Sequence, residues 1–221
     1  MTRSGLVTTR SGLVILVSGR GSNMQAILEA VRSGTIPTTI RAVVSNNTDA
    51  EALKNADAAG LPTQVVSHRD YLTRASFDQA LAQTIDRYDP QLVVLAGFMR
   101  VLTADFIQHF AGRMINIHPS LLPQFPGLNT HQRAIDARVT RHGASVHFVT
   151  PEVDSGPIIA QASVPVLADD TPATLSARVL EQEHRLYPLA IRWFIDGRLT
   201  VRAGRVLLDG ATQVDQGLVT S

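Results

Sequence analysis

A doubly wound α/β fold is predicted, with a mostly parallel sheet, helices on both faces and antiparallel additions in the C-terminal half. Three features of the sequence carry that prediction. Short, fully apolar runs recur along the first half of the chain, as in strands buried on both faces. Segments with apolar residues at helical spacing separate them. The first run passes through a glycine-rich turn directly into a helix, the opening unit of a β-α-β array.

Taken in order, Leu13-Val14-Ile15-Leu16-Val17 is the first strand, closed by Ser18-Gly19. Met24, Ile27, Leu28 and Val31 then mark one helical face, with Ser22 and Gln25 spaced as a capping box at its front. Ile40 to Ser45 reads as a second strand, Ala50 to Ala59 as a helix, and Pro62 to Ser67 as a weaker third strand. Phe77, Leu81, Ile85 and Tyr88 share a helical face that stops at Asp89-Pro90. Leu92 to Ala96 is another buried strand and Met114 to Ile117 a shorter one. A proline-rich loop over 118–128 leads into a short helix, and Ala144 to Thr150 and Ile158 to Pro165 read as strands. Thr171 caps a long helix with Pro172 in its first turn; Asp196-Gly197 ends it, and Pro188 predicts a kink. At most two short strands and a polar tail follow. With no linker and no internal structural repeat, residues 12–221 are expected to form a single domain. Residues 1–11 are expected to be a flexible extension, in which TRSGLV at 2–7 recurs at 9–14.

Composition removes several classes of function. Of 221 residues, 44% are hydrophobic and 18% charged, an ordinary globular balance. The formal net charge is +1 with the basic residues spread out, so neither nucleic acid nor a membrane surface is expected as a partner. There is no cysteine, which excludes disulfides, thiolate nucleophiles and cysteine metal sites. No apolar run is long enough to span a bilayer and the start lacks a signal-peptide core, so the cytoplasm is the expected location.

The turn Ser18-Gly19-Arg20-Gly21-Ser22-Asn23 joins a buried strand to a helix start, where free N–H groups and the helix dipole favour an anion. A dinucleotide fingerprint would need glycine where Met24 stands, and an acidic residue where Ser45-Asn46-Asn47 stands. No Gly-Lys-Ser/Thr follows, so a Walker-type loop is excluded. A phosphate site and a turn whose glycines serve only packing both stay open.

Asn116-Ile117-His118-Pro119 ends a buried strand, where open α/β sheets place their ligands. Strand alternation puts Asn116 and His118 on one side. An amide N–H that holds a developing oxyanion beside an imidazolium that donates a proton suits acyl transfer. Asp154, in a tight turn, is the available carboxylate, expected to raise the histidine pKa and keep it protonated. Read blandly, Asn116 caps a turn and His118 is one of seven histidines. His142 and His147 lack an acidic partner at ligand spacing, so no metal is expected. No G-x-S-x-G elbow is present, and Ser120 sits between Pro119 and Leu121, so a serine triad is not expected.

The runs NIHPSLLP (Asn116 to Pro123), LAGFMR (Leu95 to Arg100) and HFVTPEVDSGPI (His147 to Ile158) together resemble the formyltetrahydrofolate-dependent formyltransferases. The turn SGRGSN and the chain length point within that family to the members acting on phosphoribosylglycinamide, over about Val14 to Asp196. The resemblance implies that Asn116, His118 and Asp154 are the catalytic trio, and that a formyl group moves from 10-formyltetrahydrofolate to an amine through a tetrahedral intermediate. It implies ribotide contacts at Gly21, Ser22 and Asn23 and at Leu180, Glu181, Gln182 and Glu183. It implies folate contacts at Arg74, Met99, Arg100, Val101, Leu102 and Asn116, and at Thr150, Pro151, Glu152, Val153 and Asp154. Met99, Val101 and Leu102 would otherwise read as core. Where the family commonly has histidine this chain has Asn129, and His131 is retained. The expected partners are thus two small molecules, 10-formyltetrahydrofolate serving as co-substrate without a metal, in a monomer or homodimer. A tRNA-acting relative would need a further C-terminal domain, and about 25 residues follow the last helix. A formyltetrahydrofolate hydrolase, with an added N-terminal domain, and a non-catalytic folate- or nucleotide-binding module are the alternatives.

Overall fold

The computed structural model describes residues 12–212 and 218–219, so the N-terminal extension lies outside the described residues. Strands β1 (Leu13–Val17), β2 (Ile40–Ser45), β3 (Thr63–Val65), β4 (Leu92–Leu95) and β5 (Met114–His118) pair in parallel. The antiparallel strands β6 (Arg141–Phe148) and β7 (Ile158–Pro165) extend the sheet beyond β5. Labelling Leu199–Arg202, Arg205–Leu208, Ala211–Thr212 and Leu218–Val219 as β8 to β11, the main sheet runs β11-β7-β6-β5-β4-β1-β2-β3 and a small antiparallel sheet runs β10-β9-β8. Strand order reverses between β1 and β4, which opens a crevice at the carboxyl ends of the strands.

Helices α1 (Ser22–Arg32), α2 (Glu51–Ala58), α3 (Arg74–Asp86), α4 (Ala104–His109), α5 (Thr130–Asp136) and α6 (Pro172–Ile195) cover both faces of the sheet. All five residues of β1 are fully buried, with Leu13, Ile15 and Val17 in one core and Val14 and Leu16 in the other. Period-two alternation sends successive side chains to opposite layers, which is why the strand is apolar throughout. Each such side chain contributes about 1.5–3 kcal/mol relative to exposure. One core packs against α1 and α6, the other against α3 and α4. Tyr187 of α6 is fully buried, and its hydroxyl donates to the Leu95 carbonyl at 2.8 Å, which fastens α6 to the sheet beside the crevice. Among the described residues no helix is long and apolar enough to cross a membrane.

Several local expectations change. The Ser22–Gln25 capping box does not form, because the N-cap of α1 is Gly21 in the left-handed region at φ 79°. A side chain at position 21 would bring its Cβ within 2.5 Å of the Ala52 Cβ, so close packing and backbone conformation both require glycine. The third strand is only three residues long, on the sheet edge. Helix α4, unforeseen because it has only six residues, is capped by the Thr103 hydroxyl. Strand β6 starts at Arg141 and stops at Phe148, and the residues after α6 form more strands than the two expected. Helix α6 has the predicted cap at Thr171 and continues through the buried Pro188. The ring at 188 removes one backbone donor without ending the helix, which packing against the sheet holds in place.

Candidate active site

Strand β5 delivers Asn116 and His118 to the same side, and the pairing of β5 with β6 sets His147 directly opposite Asn116. Loop 149–157 returns from β6 with Asp154 in a left-handed conformation, φ 53°. Its carboxylate lies 3.3 Å from His118 Nδ1 and 3.7 Å from His147 Nε2. Close passage of Gly156 makes this return possible, since a Cβ there would lie 1.7 Å from the Phe148 carbonyl oxygen. The three candidates named from sequence are thus brought together, and His147 joins them.

The protons of this cluster follow from its acceptors. His118 Nε2 lies 2.9 Å from the Phe125 carbonyl, which can only accept, and Nδ1 faces the Asp154 carboxylate. Both ring nitrogens therefore face oxygen acceptors, an arrangement suited to an imidazolium. His147 Nδ1 lies 2.9 Å from the Phe148 carbonyl and so carries the ring proton. Burial lowers the pKa of His147, against the raising influence of the Phe148 carbonyl and of Asp154. The neutral ring presents Nε2 as an acceptor to the Asn116 amide nitrogen at 3.2 Å. That contact leaves the second amide hydrogen of Asn116 free to meet a ligand oxygen.

The proline-rich loop closes around the pair. The Gly127 N–H donates to Asp154 Oδ2 at 2.9 Å, so the carboxylate is held from the loop as well as by histidine. Behind the loop, His142 stacks edge-on with Phe125 and His131 at 5.9 and 5.2 Å between centroids. Burial, then the charge of His131, brings His142 down to about 4, so this ring stays neutral. Asn129, the position of departure from the family's common histidine, is the N-cap of α5 at φ 57°, a conformation that asparagine tolerates better than most side chains.

At the glycine turn, α1 starts without a side-chain cap, so no side chain within the helix start takes up its first N–H groups. Asn23 Nδ2 donates to Glu183 Oε2 at 2.6 Å, joining two of the predicted ribotide residues across 160 positions of sequence. Burial raises the pKa of Glu183, opposed by the Asn23 amide. Leu180 lies one turn before Glu183, on the partly buried side of α6. Glu181 is exposed and feels Arg178, while Gln182 lines a groove with Thr35, Arg185 and Arg192. These two residues are not brought to the turn, because successive residues on a helix point about 100° apart.

The predicted folate residues divide similarly. Met99 is 70% exposed and Val101 54%, so these are not the core residues that a bland reading makes them, whereas Leu102 is core. The Met99 N–H donates to the Ser18 hydroxyl at 2.8 Å, which ties this segment to the glycine turn. Arg100 lies over the Phe77 ring at 5.5 Å, and Arg74 is exposed at the start of α3. Thr150 is half-buried; Pro151, Glu152 and Val153 are exposed around the loop that presents Asp154. Exposed apolar side chains beside a polar crevice are what a flat, partly apolar ligand requires. Among the described residues no group of three or more potential ligands could hold a metal ion.

Three groups of the site are not among the catalytic candidates of the sequence: His147, weighed there only as a metal ligand, the Phe125 carbonyl and the Gly127 N–H. Only the antiparallel register of β5 with β6 could have drawn attention to His147. The two backbone groups leave no mark in side-chain chemistry.

Comparison with known proteins places the chain in a family. Residues 12–191 match the formyl transferase family. The phosphoribosylglycinamide formyltransferase of Escherichia coli (strain K12) is 49% identical over 205 residues, 93% of this chain and 97% of that protein. The structure of the phosphoribosylglycinamide formyltransferase from Coxiella burnetii superposes with a TM-score of 0.89 at 48% identity, covering 95% of this chain and 99% of that one. A formyltetrahydrofolate deformylase from Pseudomonas syringae pv. tomato shares the fold at TM-score 0.84, with 23% identity, over 91% of this chain and 66% of that one.

Proposed function

The chain belongs to the formyl transferase family, and we propose that it transfers the formyl group of 10-formyltetrahydrofolate to the amine of 5-phosphoribosylglycinamide in purine biosynthesis, in the cytoplasm. One observation carries the reading: an amide and a buried imidazole stand side by side on β5, with a carboxylate 3.3 Å behind the imidazole. Both His118 nitrogens face oxygen acceptors, so the ring offers no lone pair for attack; the acceptor amine attacks directly and no covalent enzyme intermediate forms.

Attack of the amine on the formyl carbon forms the new C–N bond and places negative charge on the formyl oxygen. The free Asn116 N–H and the His118 imidazolium stabilise that charge. Collapse of the tetrahedral intermediate breaks the bond to the folate nitrogen, which takes a proton as the attacking amine gives one up. With Nε2 held by the Phe125 carbonyl, His118 gives up its proton from Nδ1, and Asp154 beside it holds the ring and passes protons through water. For the ribotide, Gly21, Ser22 and Asn23 receive phosphate and ribose at the uncapped start of α1, with Glu183 the polar contact from α6. Met99, Val101 and Val153 offer the apolar border of a pterin slot, and the backbone of 150–154 offers its hydrogen bonds.

The test is release of deformylated folate from 10-formyltetrahydrofolate, followed by absorbance with and without phosphoribosylglycinamide. Release that requires the amine is expected. Release without it identifies a hydrolase, and binding of both ligands without release identifies a binding module.

A further inference from the structure

We infer that Gln161 is a positioning residue for the formyl-transfer site, setting from two strands away the loop whose backbone grips His118 and Asp154. The inference rests on the function proposed above. Register places His118 on β5, Ser145 on β6 and Gln161 on β7 in one row across the sheet. All three are buried, Gln161 with 7% exposure.

Two of these residues hold the proline-rich loop. Gln161 Nε2 donates to the Leu122 carbonyl at 2.9 Å and to Ser145 Oγ at 2.8 Å. Ser145 Oγ donates to the Ser120 carbonyl at 2.6 Å and accepts the Leu122 N–H at 3.0 Å. Both hydrogens of the Gln161 amide and the one hydrogen of Ser145 are thus used on the loop or on each other. Loop and site are then joined in three short steps. The Ser120 hydroxyl donates to the Gln124 carbonyl at 2.6 Å, the next residue's carbonyl takes the His118 Nε2–H, and Gly127 donates to Asp154. An apolar residue would fill the Gln161 position at lower desolvation cost if packing were its purpose. What the amide adds is a fixed place for Leu122, and hence for the Phe125 carbonyl that orients the catalytic ring.

Gln161→Met keeps volume and removes the donors, leaving the Leu122 carbonyl buried without a partner. Turnover should fall about tenfold, equivalent to about 1.4 kcal/mol, with both Michaelis constants within about twofold of the parent. The downfield proton resonance of His118 Nε2–H, assigned by its absence in His118→Ala, should broaden through exchange. A folded Gln161→Met protein with unchanged turnover and an intact resonance overturns the inference. Should that variant fail to fold, Ser120→Ala, which cuts only the link to Gln124, decides in the same way: a tenfold loss supports the anchor and parental turnover refutes it. Failure of the parent to transfer formyl would sink the proposed function alone, since the resonance still reads the anchor.

Discussion

Asp154→Asn removes one charge while keeping the size of the side chain. At 3.3 Å, the attraction between the Asp154 carboxylate and a His118 imidazolium is about 5 kcal/mol at an effective dielectric of about 20. Both side chains are no more than 10% exposed, so solvent screens little of it, but part is offset by desolvation of the pair. Loss of one preorganised electrostatic partner at such a site costs about 2.7–4 kcal/mol of transition-state stabilisation, a 100- to 1000-fold fall in turnover. The asparagine oxygen can still accept the Gly127 N–H, so the loop keeps its anchor at this end. Folate binding should therefore stay within about twofold of the parent, an outcome that separates loss of chemistry from loss of shape. Steady-state turnover with amine acceptor, together with folate titration by fluorescence, provides both readings. Turnover within tenfold of the parent, or a parallel collapse of folate affinity, would refute the electrostatic role.

Other perturbations test neighbouring links. His147→Phe removes the acceptor that orients the Asn116 amide; turnover should drop about 5- to 10-fold in steady-state assays, the worth of one buried hydrogen bond, and His147→Gln should recover part of it. Glu183 is raised by burial, so the stability it provides is fully present below its ordinary value near 4.5 and is lost as pH climbs through the raised one. Glu183→Gln should accordingly gain about 3 °C in melting temperature over the parent as pH rises from about 5 to 8, while its Michaelis constant for the ribotide rises about tenfold. Thermal unfolding across pH tests the first effect and initial rates the second. Replacing Ser22 and Asn23 together with alanine should raise the ribotide Michaelis constant at least about tenfold and the folate constant less than about twofold. Equal changes in both, measured by varying each substrate in turn, would count against an anion site at the start of α1.

Much of the fold was legible because its signals are local. The buried parallel strands announce themselves as runs such as Leu13–Val17, since a strand covered on two faces has no polar side to show. Helix α6 was placed from Thr171-Pro172 at one end and Asp196-Gly197 at the other, where caps belong to a few adjacent residues. Signals failed where tertiary contacts overrode them. Ser22 and Gln25 have the spacing of a capping box, yet the approach of Ala52 demands glycine as the N-cap and shifts the helix start by one residue.

The same division runs through the site. By itself the sequence determined which side chains can do the chemistry: Asn116 and His118 two apart on a strand, Asp154 in a turn, and a glycine-rich start to the first helix. Tertiary structure decided which of them meet and what holds them. Strand register set His147 against Asn116 and aligned Gln161 with Ser145 and His118. Loop closure brought the Phe125 carbonyl and the Gly127 N–H to the His–Asp pair, and the packing of α6 brought Glu183 to Asn23 while turning Glu181 outward. Such contacts depend on backbone groups and long-range register, and neither is written in the identity of a residue or of its neighbours.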